Sequence, residues 1–218
     1  MECEVRAVRV GGAGVDDPMS STKRLREGSS APARDAHPDD FYRTPAWAVK
    51  ALIERLGAVP GPILEPGCGD GAILSVLEGF GLGPLVGVET NEARAIAADM
   101  LTQPDTAIHH GDFLGDSLEP VRARLPCSSV SNPPFKHAVA FIQRTLEIIQ
   151  PGGRAFFLLR LAFLAGQARA RSGIWDDLAA VYVLPRRPSF TGRGTDSADY
   201  CWLEFSTSHR GPARLEHL

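Results

Sequence analysis

The stretch Pro62–Leu74, which reads PILEPGCGDGAIL, decides how the rest of the chain is interpreted. A short apolar run ends at Glu65, and glycine then recurs at every second position before an apolar, helix-like pattern begins. This order predicts a β-strand, a tight turn and the start of an α-helix, with bare backbone able to approach a nucleotide-like ligand. The dinucleotide-binding fingerprint would need a glycine at Ala72, so that fingerprint is not matched. The three glycines are Gly67, Gly69 and Gly71.

Length and composition limit the class of protein. The chain has 218 residues and a formal net charge of −3, which fits one globular domain and argues against a general polyanion binder. Its four cysteines lie far apart without paired metal-ligand spacing, which predicts reduced thiols in a cytoplasmic protein. No apolar run approaches the roughly 20 residues that span a bilayer, and the N-terminus lacks the apolar core of a signal peptide. We therefore expect neither a membrane segment nor a bound metal; the oligomeric state is left open.

Composition also divides the chain into three predicted parts. Residues 1–39 are rich in Gly, Ser, Ala, Pro, Asp and Arg without sustained periodicity, which predicts a disordered extension. One domain is predicted over residues 40–206, and residues 207–218 are predicted to be a flexible tail.

The domain opens with the segment FYRTP, residues 41–45, followed by apolar residues at helical spacing. Thr44 is expected to be the N-cap of this helix and Pro45 its first residue. The helix is predicted to reach Leu56.

Strands and helices alternate along the rest of the domain, which predicts a doubly wound, Rossmann-like α/β sheet with helices on both faces. Predicted strands follow the glycine turn at 84–90, 106–113, 128–131, 152–160, 179–184 and 198–205. Predicted helices cover 72–78, 91–101, 137–149 and 161–171, with Thr90 or Asn91 capping the second of these.

Acidic residues close two of the predicted strands. Glu89 lies about 20 residues after the glycine turn, where this topology places a carboxylate for the hydroxyls of a ribose. Asp112 and Phe113 follow the next strand. The neighbouring His109 and His110 do not predict a metal site, because adjacent side chains on a strand point to opposite faces and no third ligand is near.

The sequence Asn132-Pro133-Pro134-Phe135 follows the strand predicted at 128–131. Two consecutive prolines cannot continue a central strand, because neither donates a hydrogen bond to the sheet. They predict a rigid turn at the carboxyl end of a strand, where open α/β sheets bind ligands.

Taken in order, these segments resemble S-adenosylmethionine-dependent amino-methyltransferases, and in particular the small phage and prophage adenine-N6 DNA methyltransferases. The resemblance covers roughly Phe41 to Phe205, and it implies that the last strand is antiparallel. It implies S-adenosylmethionine as the cofactor, with Asp112 on the adenine amine and Phe113 against the adenine ring. The cofactor-binding residues that it implies are Tyr42, Thr44, Pro45, Glu65, Gly67, Gly69, Gly71, Glu89, Asp112 and Phe113.

The chemistry expected of the Asn-Pro-Pro-Phe segment can be stated independently. An exocyclic aromatic amine is a poor nucleophile, because its lone pair is delocalised into the ring. The Asn132 side-chain oxygen and the Pro133 carbonyl would each accept one amine hydrogen, which favours a pyramidal nitrogen. Pro134 keeps the turn rigid, and Phe135 would stack on the base, so little reorganisation remains at the transition state.

The expected partner is a nucleic acid, DNA in particular. A base inside a duplex cannot reach such a pocket, so it must be flipped out or already single-stranded. From Gly152 through Arg193 there are seven arginines against two acids, an excess that would suit phosphate contacts. The predicted contacts are Arg160, Arg186, Arg187 and Arg193.

Two alternatives remain open. Methyltransferases that act on the amines of RNA guanine or adenine, or on protein glutamine, use a similar Asn-Pro-Pro-aromatic segment. A catalytically silent subunit that binds S-adenosylmethionine and activates a partner would be expected to lose Asn132 or the glycines, which this chain retains.

Overall fold

The computed structural model describes residues 41–115, 117–190 and 194–218. The predicted N-terminal extension, residues 1–39, and the predicted phosphate contact Arg193 lie outside these ranges. The described strands are β1 (Ile63–Pro66), β2 (Leu85–Glu89), β3 (Ala107–His110), β4 (Ser128–Ser131), β5 (Arg154–Arg160), β6 (Leu178–Val183), β7 (Tyr200–Phe205) and β8 (Arg214–His217).

These strands form one sheet in the order β3-β2-β1-β4-β5-β7-β6-β8. The first five strands in this order run parallel to one another. Strand β7 lies between β5 and β6 and runs antiparallel to both. The prediction of a doubly wound sheet with a C-terminal antiparallel strand is therefore confirmed.

Helices cover both faces of the sheet, as predicted. Neighbouring strand residues point to opposite faces, and the two faces carry separate apolar clusters. Ile63 packs in a cluster with Leu52 and Leu74, whereas Leu64 packs in a cluster with Val121 and Ile142. The helices are α1 (Ala46–Leu56), α2 (Ala72–Gly79), α3 (Glu92–Leu101), α4 (Glu119–Arg122), α5 (Ala138–Ile148) and α6 (Gln167–Ala170).

The direction of winding reverses between β1 and β4, which pair in parallel with Leu64 opposite Ser129. Such a reversal leaves a crevice at the carboxyl ends of the two strands, where ligands bind in open α/β sheets. The glycine turn leaves β1 and the Asn-Pro-Pro-Phe segment leaves β4 at this point. The Ser131 hydroxyl donates to the Pro66 carbonyl at 2.7 Å and ties the two strand ends together.

The prediction of a flexible tail over residues 207–218 is wrong for Arg214–His217. Arg214–His217 form β8, which pairs in parallel with β6 at the edge of the sheet. The Leu218 amide continues this pairing with the Val183 carbonyl at 3.0 Å. The sequence of this strand shows little apolar pattern, so the prediction missed it. Backbone hydrogen bonds to the open edge of β6 hold the strand in place.

Two helix predictions need correction. Residues 161–171 do not form one helix: a 3-10 turn covers Leu161–Leu164, and α6 begins only after Gly166, whose φ of 119° breaks the helix. The N-cap of α1 is Pro45 rather than Thr44. The third prediction is confirmed, since the Asn91 side chain caps α3 by accepting from the Arg94 amide.

None of the helices in the part of the chain that the structure describes is both long and apolar enough to cross a bilayer.

Candidate active site

A cavity opens where β1 and β4 diverge, and most of the predicted site residues line it. Residues of the glycine turn line it, and so does the segment Phe41–Thr44. Ten predicted residues line the cavity: Tyr42, Thr44, Glu65, Gly67, Gly69, Glu89, Asp112, Phe113, Asn132 and Pro134. Four predicted residues lie beside it instead: Pro45, Gly71, Pro133 and Phe135.

The glycine turn is held in the left-handed region of backbone space, and its glycines serve different purposes. Gly69 has φ 55°, and a Cβ there would collide with the Phe41 ring. Gly71 has φ 80° and faces Ala98 of α3, where a Cβ would lie only 3.1 Å from the Cα of Ala98. Gly69 therefore makes room for the Phe41 ring, whereas Gly71 lets α3 pack closely.

Glu89 is buried and braces the turn. Its Oε2 accepts the Gly69 amide at 2.9 Å, and its Oε1 accepts the Asn91 amide at 2.8 Å. The Arg94 guanidinium also donates to Oε1 at 3.2 Å. These bonds fix the carboxylate at the cavity wall, where the sequence predicts a contact with ribose hydroxyls.

Glu65 is buried at the end of β1, and its Oε2 has no hydrogen-bond partner among the described residues. Burial, with smaller contributions from the charges of Asp70 and Glu89, raises the pKa of this carboxyl well above its ordinary value. Burial likewise raises the pKa of the Cys68 thiol, which disfavours its thiolate form.

The segment Phe41–Thr44, called the strap below, contacts both the glycine turn and Asn132, and sequence analysis did not assign a site role to its first residue. The Phe41 ring lies against Gly69, with the Arg94 guanidinium 4.9 Å from its centroid. Arg43 forms an ion pair with Asp70 of the glycine turn at 2.6 Å. Phe41 is visible in the sequence as an aromatic residue, but its contact with Arg94 of α3 cannot be read from the residues around it.

Asn132 is held in one orientation by this strap. Its Nδ2 donates to the Tyr42 carbonyl at 3.1 Å and to the Thr44 hydroxyl at 3.0 Å. A backbone carbonyl can only accept, so the amide nitrogen and not the oxygen must face Tyr42. Asn132 is one of the residues that line the cavity, and its Oδ1 atom is buried with no partner among the described residues.

Asp112 and Phe113 lie on the far wall of the cavity, after β3. Asp112 Oδ1 accepts the Leu114 amide at 2.9 Å, which shapes the loop. The Phe113 ring is buried and packs against Phe141 with centroids 5.1 Å apart. Both side chains are therefore fixed by the fold at the cavity wall.

An aromatic cluster surrounds Phe135 of the Asn-Pro-Pro-Phe segment at the edge of the cavity. Phe135 is partly exposed and stacks on Tyr42, with centroids 5.5 Å apart and an angle of 28° between the rings. Phe190 packs edge-on against Tyr42 at 5.7 Å and against Tyr200 at 5.2 Å. These rings come from four separate segments, so only the fold brings them together.

Arg160 joins this cluster to the connection between β6 and β7. Its guanidinium lies 5.1 Å from the centroid of Phe135, and its Nε donates to the Tyr200 hydroxyl at 3.1 Å. That hydroxyl donates to Asp196 at 3.0 Å. Burial opposes ionisation of Asp196, but hydrogen bonds from Ala198 and Tyr200 and the charge of Arg160 outweigh it and lower its pKa.

The other predicted phosphate contacts already have intramolecular partners. The Arg186 guanidinium lies 4.5 Å from the centroid of Trp47 on α1. Arg187 pairs with Asp199 at 2.8 Å, and both side chains are exposed. With Arg160, these residues lie at the carboxyl end of the sheet on the same side as the cavity, but none of the three is an uncommitted cation.

Across the described ranges, no group of three or more His, Cys, Asp or Glu side chains is arranged to hold a metal ion.

Comparisons with known proteins agree with this arrangement at the level of the fold. No protein-family model and no curated protein matches the chain. Among solved structures, a candidate class I S-adenosylmethionine-dependent methyltransferase from Listeria monocytogenes superposes with a TM-score of 0.63 at 19% identity, covering 81% of this chain and 65% of that one. The chain has the class I methyltransferase fold.

Two further structures have the same fold. A modification subunit of a candidate type I restriction enzyme from Vibrio vulnificus has a TM-score of 0.58 at 19% identity, covering 84% of this chain and 48% of that one. A candidate RNA methyltransferase from Pyrococcus horikoshii has a TM-score of 0.59 at 16% identity, covering 76% of this chain and 85% of that one. This chain therefore spans less than two thirds of the Listeria and Vibrio proteins.

Proposed function

We propose that this protein transfers a methyl group from S-adenosylmethionine to an exocyclic aromatic amine, and that the acceptor is N6 of adenine in DNA. The observation that carries the proposal is the Asn132 side chain. Its amide nitrogen is fully engaged, and its Oδ1 is a buried acceptor left without a partner among the described residues. A buried polar atom without a partner is costly, so such an atom at a cavity wall is expected to meet a donor from a ligand.

The residues of the cavity suit S-adenosylmethionine. Gly67 and Gly69 of the glycine turn line the cavity without side chains of their own, so a ligand can approach the backbone closely there. Four acidic side chains, Glu65, Asp70, Glu89 and Asp112, line the cavity against two arginines, Arg43 and Arg94, and this excess favours a ligand that carries positive charge. When bound, S-adenosylmethionine supplies an activated methyl group on a positively charged sulfur. Glu89 would hold the ribose, and Asp112 with Phe113 would hold the adenine.

The acceptor amine has two hydrogens and needs two acceptors. Asn132 Oδ1 would take one of them, and the Pro133 carbonyl would take the other. Two hydrogen bonds in this arrangement draw the nitrogen lone pair out of conjugation with the ring. Because Asn132 is already fixed through its nitrogen, little reorganisation is needed when the amine arrives.

Support for a nucleic-acid acceptor comes from the surroundings of the catalytic segment. Phe135 is partly exposed beside Asn132, as a ring that stacks on a base must be. Arg160, Arg186 and Arg187 lie on the same side of the sheet and would contact phosphates. The neighbours in fold include a restriction-enzyme modification subunit and a candidate RNA methyltransferase, and both kinds of protein modify nucleic acid.

The test is to incubate the protein with methyl-labelled S-adenosylmethionine and separate pools of DNA, RNA and protein. We expect label in DNA, at N6 of adenine. Asn132→Ala is expected to abolish transfer while calorimetry shows cofactor binding unchanged. Asn91→Ser is the matched control, because it alters the other asparagine of the chain and retains a helix-capping hydroxyl.

Each other outcome has a defined meaning. Label in RNA alone would replace the acceptor but keep transfer to an aromatic amine, whereas label in protein alone would overturn the aromatic-amine acceptor. Cofactor binding without transfer to any pool would favour the silent-subunit alternative. Wild-type turnover by Asn132→Ala would rule out the proposed use of Oδ1.

A further inference from the structure

We infer that Thr44 is a positioning residue for the proposed reaction: its hydroxyl, together with the Tyr42 carbonyl, holds the Asn132 amide so that Oδ1 faces the acceptor. The inference rests on the proposed function and deepens it. It also gives Thr44 a role different from the cofactor contact and the helix cap that the sequence predicts.

The first argument is that the Thr44 hydroxyl is not used by its own helix. The N-cap of α1 is Pro45, and no side chain makes a capping hydrogen bond there. Thr44 is 5% exposed, and its Oγ1 accepts from Asn132 Nδ2 at 3.0 Å across 88 positions of sequence. A buried hydroxyl that bonds so far along the chain is committed to tertiary structure rather than to capping.

The second argument concerns the geometry of the amide. Its two hydrogens have two acceptors on one strap, the Tyr42 carbonyl at 3.1 Å and the Thr44 hydroxyl. Turning the amide over would bring Oδ1 against the Tyr42 carbonyl, and two acceptors would then face each other. The carbonyl therefore selects the orientation, and the hydroxyl limits rotation of the amide, so that Oδ1 stays in one position.

The third argument is that both partners sit on rigid elements. Asn132 directly follows β4, a central strand of the sheet. Thr44 precedes α1, which is fastened to the sheet because the buried Trp202 indole donates to the Ala48 carbonyl at 2.9 Å. Removal of the hydroxyl should therefore loosen Asn132 without releasing the helix.

Thr44→Val and Thr44→Ser test this role. We expect Thr44→Val to lower kcat by about 5- to 100-fold, the range for loss of one buried hydrogen bond, with little change in cofactor affinity or in KM for DNA. Thr44→Ser should restore most of kcat because it returns the hydroxyl. Thr102→Val is the matched control: it removes a threonine hydroxyl that donates to the Ala98 carbonyl at the end of α3, outside the cavity lining.

A second measurement does not depend on activity. The chain has two asparagines and four glutamines, so the side-chain amide signal of Asn132 can be assigned in a ¹H–¹⁵N spectrum by its absence in Asn132→Ala. Both amide hydrogens should exchange slowly with solvent in the wild type and in Thr44→Ser. One of them should lose protection in Thr44→Val.

The outcomes separate this inference from the proposed function. If the wild type methylates nothing, the proposed function fails, and the exchange measurement still decides whether Thr44 holds Asn132. If the wild type is active and Thr44→Val keeps full kcat with both hydrogens protected, the inference is overturned. It is also overturned if Thr44→Val weakens cofactor binding alone. Should Thr44→Val fail to fold, Thr44→Ala compared with Thr44→Ser gives the same contrast.

Discussion

The carboxylate of Glu89 and the backbone amide of Gly69 are joined by a hydrogen bond of 2.9 Å. One residue closes β2 and the other lies in the turn after β1, so this bond sets the position of the turn relative to the neighbouring strand. It also means that a residue predicted only to bind ribose has a second task, which is to shape the cavity that the ribose would enter.

Glu89→Ala is expected to weaken binding of S-adenosylmethionine by roughly 1–3 kcal/mol, the scale of lost charge-assisted hydrogen bonds. The loss would combine the missing ribose contact with a less ordered turn. Calorimetric titration measures it. Glu92→Gln, an exposed substitution in the first turn of α3, should bind like the wild type. Equal affinity for Glu89→Ala and the wild type would remove Glu89 from the binding site.

Glu65→Gln is expected to change how stability depends on pH. The folded state raises the pKa of Glu65 well above the ordinary value of 4.5, so the unfolded chain releases this proton at a lower pH than the folded chain does. Between those two values the folded state holds more protons, and stability falls as pH rises, by up to about 1.4 kcal/mol per pH unit. The variant should lack this slope and be more stable near neutral pH.

Urea unfolding of both proteins at several pH values above 4.5 provides the measurement. Glu54→Gln, on the exposed side of α1, is the control and should keep the wild-type slope. If the free energy of unfolding depended on pH in the same way for Glu65→Gln and the wild type, the pKa of Glu65 would be the same in the folded and unfolded chains.

Phe135→Ala is expected to weaken acceptor binding by about 1–3 kcal/mol, the usual effect of removing an aromatic ring that stacks on a base. Cofactor affinity should be unaffected, because Phe135 lies beside the cavity and not among its lining residues. Phe135→Tyr should bind DNA normally. Binding of a single-stranded oligonucleotide, followed by fluorescence anisotropy, gives the values; Phe80→Leu, at the end of α2, is the control.

Charge removal at Arg186 and Arg187 tests the predicted phosphate contacts. If both bind phosphates, the slope of log K against log salt for duplex DNA should become less steep by up to about 2 in the double alanine variant. Arg124→Ala is the control, because Arg124 is exposed in the turn before β4, at the opposite end of the sheet. An unchanged slope would mean that these two arginines do not contact phosphates and serve only their intramolecular contacts with Trp47 and Asp199.

The protein is expected to methylate adenine in DNA with a very short sequence requirement or none. Between Phe41 and Phe205 the described chain is taken up by the sheet, its helices and their connections. Phosphate contacts position a protein on DNA but do not read sequence, which needs contacts to base edges. Sequencing of modified adenines in random DNA decides this. One defined motif of four or more bases, methylated by the isolated protein, would contradict it.

The sequence was sufficient for the features that depend on local pattern. The apolar run, the alternating glycines and the helix start between Pro62 and Leu74 predicted β1, the turn and α2. The Asn-Pro-Pro-Phe segment predicted a rigid turn at the carboxyl end of a strand, where open α/β sheets bind ligands, and Asn132 and Pro134 do line the cavity at that end.

Features that depend on long-range contacts were not predictable in this way. The bond from Asn132 to Thr44 joins residues 88 positions apart, and a threonine before a proline looks the same whether it caps a helix or not. The stacking of Arg94 on Phe41 likewise joins residues that are far apart in the sequence. Gly166 interrupts the helical pattern of residues 161–171, but one glycine was not enough to predict the end of a helix. Its positive φ, which the sequence does not show, is what separates the 3-10 turn from α6.

Strand β8 has a consequence for the behaviour of shortened forms of the protein. It covers the edge of β6, whose sequence LAAVYV is largely apolar and includes two β-branched valines. A chain cut after Ser206 would present that edge with its backbone donors and acceptors unpaired, which is a template for association between molecules. Charged Arg214 and Glu216 make β8 itself a poor template, and Glu216 is further fastened to Arg55 of α1 by an ion pair. The four residues at this edge therefore act against aggregation, and forms that lack them should precipitate at concentrations where the whole chain stays dispersed.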